Sequence, residues 1–428
     1  MQITAMRNLT TMSEEDWSAL MRLESHANDI RSRHTTAAGK ERIQQLEALS
    51  MGAAALSGQQ ASDPQLMQQN IGRASLSSST LLRCRLLNLP QIWTNSFTLV
   101  APTFEPLGLT LDPFAALANH SCTPNAFVVM DGPVLSLRSL TPIAKDDELL
   151  IAYIDPTNPF ARRQHELQDR WYFSCACPKC GNGPTGPEDA WLRGASALPT
   201  KWQRAADAMR RAEPDLAADA ASHVGSDAAS RRLATLQARA FRDLDEAQAA
   251  PDPGEACDKL ETGIRLCYQS GMWPLTRQPY PALRQELFAS MLAAGRHELA
   301  WAQGVKTHFL VDPVLYPAPH HPLRVVHCWA LALLTLFLAS EQDSWAVQQM
   351  QLVGLDFGIV VYGLLVEVQA NVVGSHGAES AFARAVGRKV EEVTVDMTRA
   401  DPEALRGIGK RVEKYWKVFR TAADWIQM

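Results

Sequence analysis

Neither sign of charge dominates this chain. Lys and Arg number 41 against 46 Asp and Glu, a formal net charge of −5. That balance excludes a chain-wide electrostatic footprint for nucleic acid and leaves only a local basic face open. Long apolar stretches are missing as well. The longest run, over residues 328–339, is too short to span a bilayer and predicts a buried core helix. The first ten residues, MQITAMRNLT, hold no apolar core of a secretory signal. No basic localisation run stands out, because Lys410, Arg411, Lys414 and Lys417 are spaced as one helix face. These absences predict a soluble, intracellular protein, cytoplasmic and/or nuclear, in a reducing compartment.

Cysteine is sparse but unevenly placed. Of 8 cysteines, Cys175, Cys177 and Cys180 fall within six residues as C-x-C-x2-C. In a chain of 428 residues that needs no staple to reach stability, such a cluster reads as a metal site rather than a disulfide framework. A structural Zn2+ takes four thiolate or imidazole ligands in a tetrahedron. Three neighbours can wrap one ion, and the fourth must come from elsewhere: Cys122, Cys84, His120 and His165 are all candidates. Cys257, Cys267 and Cys328 have no evident task.

The length predicts two to four domains. Residues 1–90 read as polar and helical, with Ser13 and Asp16 as a capping-box-like start before Trp17, Leu20, Met21 and Leu23. From about residue 91 to 153 the texture turns to short strands. Residues 97–100, 126–130, 134–138 and 149–153 are β-rich, and Asp131-Gly132 marks a hairpin turn. Gly181 to Pro187 reads as a linker. Beyond it the pattern is helical. Helices are predicted near 199–212, 227–248, 255–270, 281–294, 296–309, 322–340, 343–366, 378–397 and 403–426. Paired helices of this size suggest a tetratricopeptide-like hairpin array, although no clean 34-residue consensus repeats.

One polar segment precedes the cysteines: Asn119-His120-Ser121-Cys122-Thr123-Pro124-Asn125. Taken bare it is a turn-prone loop, with a His–Cys pair that lacks an oriented third group. Set in order with an acidic strand that ends in Tyr153 and with the cysteine cluster, it resembles the C-terminal half of a SET domain and its post-SET zinc loop. The specific likeness is to SET-and-MYND (SMYD-type) protein lysine methyltransferases. Residues 95–99, 119–125 and 147–155 carry it. Arg162-Arg163, residues 167–170, Trp171-Tyr172-Phe173 and the His320-His321-Pro322-Leu323-Arg324 stretch of the helical tail also fit.

The resemblance implies roles. Asn95, Asn119, His120 and Phe173 would contact S-adenosyl-L-methionine, with Phe173 against the adenine ring. Tyr153 would be the catalytic tyrosine. Cys122 would join Cys175, Cys177 and Cys180 on Zn2+. The substrate would be a protein or peptide lysine, histones among the candidates, with no direct nucleic-acid signal and no membrane.

The expected fold is α+β: a partial SET-type β fold with inserted N-terminal helices and a zinc-bound post-SET loop, followed by an all-α helical-hairpin domain. The expected divisions are a helical SET-insert region (1–90), the SET C-terminal half (91–160), the post-SET zinc loop (161–182) and the C-terminal helical domain (188–428). No Gly-x-Gly occurs in residues 1–118, and Cys84 alone precedes Cys122. The expectation is therefore a chain that begins partway into the family's fold, without its first SET strands and MYND zinc module. That leaves a second expectation beside the enzyme, a non-catalytic, zinc-stabilised protein-binding module or degenerate SET paralogue.

Overall fold

The structure, a computed structural model, describes Ser18, Arg22, Leu23, residues 94–191, 227–270, 273–341, 344–352, 354–424 and Ile426. The predicted N-terminal helices, Cys84 and the predicted helix at 199–212 lie outside the described residues. The chain divides into two compact units. One comprises Met1–Ile154 with Arg163–Gly181, and the other Asp155–Arg162 with Asn182–Met428.

The first unit is built from short strands in pairs. β1 (Phe97–Val100) and β2 (Pro106–Thr110) are antiparallel. β4 (Ala126–Asp131) and β5 (Val134–Ser139) form the hairpin read at Asp131-Gly132. Gly132 turns it with φ +61°, a conformation that costs a residue without Cβ little. Between them, β3 (Asn119–His120) runs parallel to β6 (Leu150–Ile151). The expected strand over 149–153 is shorter, because Asn125, not a longer ladder, takes up the neighbouring backbone groups. Its side chain donates to the Glu148 carbonyl at 2.8 Å and accepts from the Leu150 amide at 2.9 Å. Ala118, Ala126 and Ile151 form the local core, with Phe97, Val128, Leu137 and Tyr153 packed on it. α1 (Phe160–Arg170) supplies this unit with buried Arg163 and Leu167.

The second unit is helical. In order come α2 (Asp227–Gln248), α3 (Pro253–Ser270), α4 (Tyr280–Ala293) and α5 (His297–Lys306). α5 runs through a π turn (Thr307–Val311) into α6 (Asp312–Leu315). Then follow α7 (Pro322–Ser340), α8 (Trp345–Leu352), α9 (Phe357–His376), α10 (Ala381–Ala400) and α11 (Ile408–Ala423).

Sequence neighbours pack on one another, α2 on α3, α3 on α4 and α4 on α5, while α7 packs on α9 across the intervening α8, and α9 also holds α10 and α11. The single helix expected over 343–366 is two. Gly354 takes φ +72°, and Asp356 caps α9 by accepting from the Gly358 amide at 2.8 Å. α7 opens with Pro322 at its first position, and Ser380 caps α10. The apolar run at 328–339 lies in α7. By length and composition, α7 and α9 are long and apolar enough to cross a membrane, and about half of each apolar window is buried in the protein. The predicted linker ends in packed structure: Glu188 is buried, and its carbonyl accepts from Arg277 at 2.9 Å.

Candidate active site and metal centre

The metal cluster begins with sequence proximity. Cys175, Cys177 and Cys180 sit on a tight turn in which the Cys180 and Gly181 amides both donate to the Cys177 carbonyl. Gln164, on α1, fastens this turn twice, donating to the Cys175 carbonyl and accepting from the Cys175 amide, each at 2.9 Å. The fourth sulfur is that of Cys122. The ligand atoms of Cys122, Cys175, Cys177 and Cys180 all lie within 4.8 Å of one another. His165 is exposed on α1 and stands outside this group.

Cys122 Sγ and Cys180 Sγ are 3.6 Å apart. A disulfide needs about 2.05 Å. The edge of a tetrahedron with Zn–S bonds of about 2.3 Å is about 3.8 Å. The four thiols therefore have the donor type, number and spacing of a closed zinc site. Their ionisation is uneven. Cys177 is held down to about 6: burial opposes its ionisation, but backbone amides, those of Cys122 and Cys180 first, donate to its sulfur. Burial first, then the neighbouring sulfurs, pushes Cys122 far up. Arg163, fully buried, sets its guanidinium 3.6 Å from Cys180 Sγ, a positive charge beside the crowded sulfurs.

His120 joins this cluster to the rest of the site. Its Nε2 lies 3.3 Å from Cys122 Sγ and its Nδ1 accepts from the Tyr153 amide at 3.0 Å. An Nδ1 that accepts an N–H is unprotonated. Burial, then the charge of Arg163, accordingly lowers the His120 pKa to about 4. The Tyr153 hydroxyl donates to the Ala118 carbonyl at 2.8 Å. Burial, with a smaller contribution from Glu148, raises its pKa, so the phenol stays protonated at neutral pH.

Aromatic rings gather here. His120 lies 5.3 Å from Tyr153 and 6.0 Å from Phe173, and Tyr153 lies 5.2 Å from Trp171. Asn119, exposed at the start of β3, donates to Glu148 Oε1 at 2.7 Å. Asn95 joins through its neighbour. It donates to the Thr94 hydroxyl at 3.0 Å, and the Thr94 carbonyl accepts from the Trp171 indole at 2.8 Å.

Thus Asn119, His120, Tyr153, Phe173 and the four cysteines converge, with Asn95 one residue from the scaffold. Sequence reasoning missed Trp171, Gln164, Arg163 and Asn125 as the parts that orient them. Asn125 had a signal, its place in the 119–125 segment, but the bare segment reads equally well as a turn.

The SET-domain profile matches residues 27–154. That stretch is similar to SET domains, and the relatives it resembles include SET-and-MYND proteins. Over 107 residues the chain is 40% identical to SET domain and MYND-type zinc finger protein 6 of Schizosaccharomyces pombe, covering 25% of this chain and 21% of that protein. It is 36% identical over 103 residues to the Homo sapiens histone-lysine N-methyltransferase SMYD3, covering 23% and 24% respectively. With the Xenopus laevis N-lysine methyltransferase SMYD2-B it shares 34% identity over 110 residues, 26% of each chain. The chain thus matches about a fifth to a quarter of the length of these curated relatives.

Proposed function

We propose that this protein is a SMYD-type, S-adenosyl-L-methionine-dependent protein-lysine N-methyltransferase. One observation carries the reading. His120, Tyr153 and Phe173, far apart in sequence, come together with both other rings within 6.0 Å of the His120 ring, beside the four-cysteine group, and Asn119 precedes His120 on β3. The names of the relatives, which include histone-lysine and N-lysine methyltransferases, favour lysine chemistry over other methyl acceptors.

The residues fit the cofactor. Phe173 is half-buried, so part of its ring remains open to an adenine face. Asn119, exposed beside Glu148, offers a side-chain amide and a nearby carboxylate. When bound, S-adenosyl-L-methionine supplies a sulfonium methyl group to a neutral amine. Methyl transfer of this kind needs alignment and exclusion of water more than covalent help. Tyr153 provides a protonated hydroxyl held by the Ala118 carbonyl, with the His120 and Trp171 rings beside it. Cys122, Cys175, Cys177 and Cys180 would hold Zn2+, which ties the loop to β3 and takes no part in the transfer.

In this reading the helices from α2 onward stack as hairpins in tetratricopeptide fashion, and the substrate is a protein or peptide lysine, with histones the first class to test. The location is nuclear, cytoplasmic or both.

The test is methyl transfer from labelled S-adenosyl-L-methionine to a histone and cell-protein panel. Wild type labels a lysine. Tyr153→Phe lowers the rate by roughly 10²-fold or more while cofactor binding persists. Undiminished turnover in Tyr153→Phe removes that residue from the chemistry. Cofactor binding without transfer to any lysine supports a non-catalytic binding module instead.

A further inference from the structure

A second group of metal-type donors lies in the helical unit, where nothing in the methyltransferase reading calls for one. His308 sits on the π turn that interrupts the α5–α6 helix, Cys328 on α7 and Glu367 on α9. One ligand atom from each lies within 4.8 Å of the others. His308 Nε2 and Glu367 Oε2 are 3.6 Å apart. That is beyond the 2.7–3.2 Å of an ordinary hydrogen bond. It is close to the edge of a tetrahedron with Zn–N and Zn–O bonds of about 2.0–2.2 Å, roughly 3.3–3.6 Å.

Two further observations point to a ligand. His308 is buried at 4% exposure, and with Nε2 turned to Glu367 its Nδ1 has no hydrogen-bond partner among the described residues. Among the described residues the Cys328 thiol, 2% exposed, has one hydrogen-bond partner, the Leu364 carbonyl at 3.6 Å. A single π turn inside an α-helix is a feature that recurs at functional sites, since the extra residue re-aims one side chain.

We infer that His308, Cys328 and Glu367 form a second zinc site, clasping the π turn, α7 and α9 with water in the fourth position. Thiolate, imidazole and carboxylate together suit Zn2+ over the hard cations Mg2+ and Ca2+, which take oxygen ligands. Binding would join three helices that meet in the middle of this unit, and so stabilise it.

The experiment is metal analysis of the full chain after zinc loading and passage over a chelating resin. The expected content is about two Zn2+ per chain. Cys175→Ser keeps the helical ion, and Cys328→Ala and Glu367→Gln each lose it while keeping the other. The Cys175→Ser protein, free of the first site, shows a higher melting temperature with Zn2+ than after chelation. Glu367→Gln preserves shape, so it decides the matter if Cys328→Ala fails to fold. A zinc-free Cys175→Ser protein, or two ions retained in both helical-site variants, overturns the inference. Neither readout depends on methyl transfer or cofactor binding.

Discussion

At the scale of single residues, the buried cations of the helical unit set the pH response. Lys306, 7% exposed on α5, donates to the Ile426 carbonyl. Burial first, then the neighbouring charge of Arg284, lowers its pKa to about 7, with Asp424 opposing. The unfolded chain titrates Lys306 near 10.5. Below pH 7 both states are protonated and the folded state bears the full penalty of a buried charge. Between about pH 7 and 10.5 the unfolded state holds the extra proton, so stability rises with pH through that window. Lys306→Met is therefore expected to stabilise the fold most at pH 6 and least near pH 10. The two differ on the order of a few kcal/mol, read by urea denaturation at each pH. A stability difference independent of pH would show that Lys306 is not a buried cation.

The three adjacent cysteines of the proposed metal site were legible because their spacing alone brings them together. Cys122, 53 residues before Cys175, entered through the family's motif order, not through spacing. His308, Cys328 and Glu367 left no trace in the sequence, since their meeting depends on how separate helices pack. The π turn that aims His308 has no residue signature of its own.

At the scale of elements, a single side chain organises the floor of the site. β3 and β6 pair over two residues each, too little ladder to hold themselves. Asn125 extends the contact by mimicking backbone. It bonds the Glu148 carbonyl and the Leu150 amide through its side chain, while its own amide donates to the Leu150 carbonyl. Asn125→Ala would strip partners from two backbone groups at the strand that leads to Tyr153. A loss of about 2–3 kcal/mol is expected, with faster hydrogen exchange at the Leu150 amide and at Tyr153. Unchanged exchange at both amides would mean that the ladder stands without Asn125.

The hairpin at Asp131-Gly132 was readable because turn chemistry and alternation agree there. The shortness of β6 was not, because residues 149–153 have strand composition throughout, and only the Asn125 side chain and the Tyr153–His120 contact end the ladder. The break between α8 and α9 escaped for a similar reason: its apolar pattern continues across Gly354, and only the cap at Asp356 and the positive φ mark the stop.

At the scale of the whole molecule, the proposed metal is the condition for the proposed cofactor site. The 175–180 turn has little core of its own: it is anchored by Gln164 on α1 and by the approach to Cys122 on the SET side. Phe173 enters just before that turn, and His120 lies two residues before the SET-side sulfur. Losing the ion would therefore move both walls of the proposed cofactor site at once. Apparent free energies of structural zinc are about 10–16 kcal/mol in small folded peptides, more than enough to order a loop of this size.

The most direct measurement is calorimetric titration of the full chain with S-adenosyl-L-methionine, zinc-loaded and again after chelation. The account predicts saturable binding to the zinc-loaded protein, lost or strongly weakened once the metal is removed and in Cys175→Ser. Absence of binding in the zinc-loaded protein, or equal binding in the metal-free protein, would contradict it.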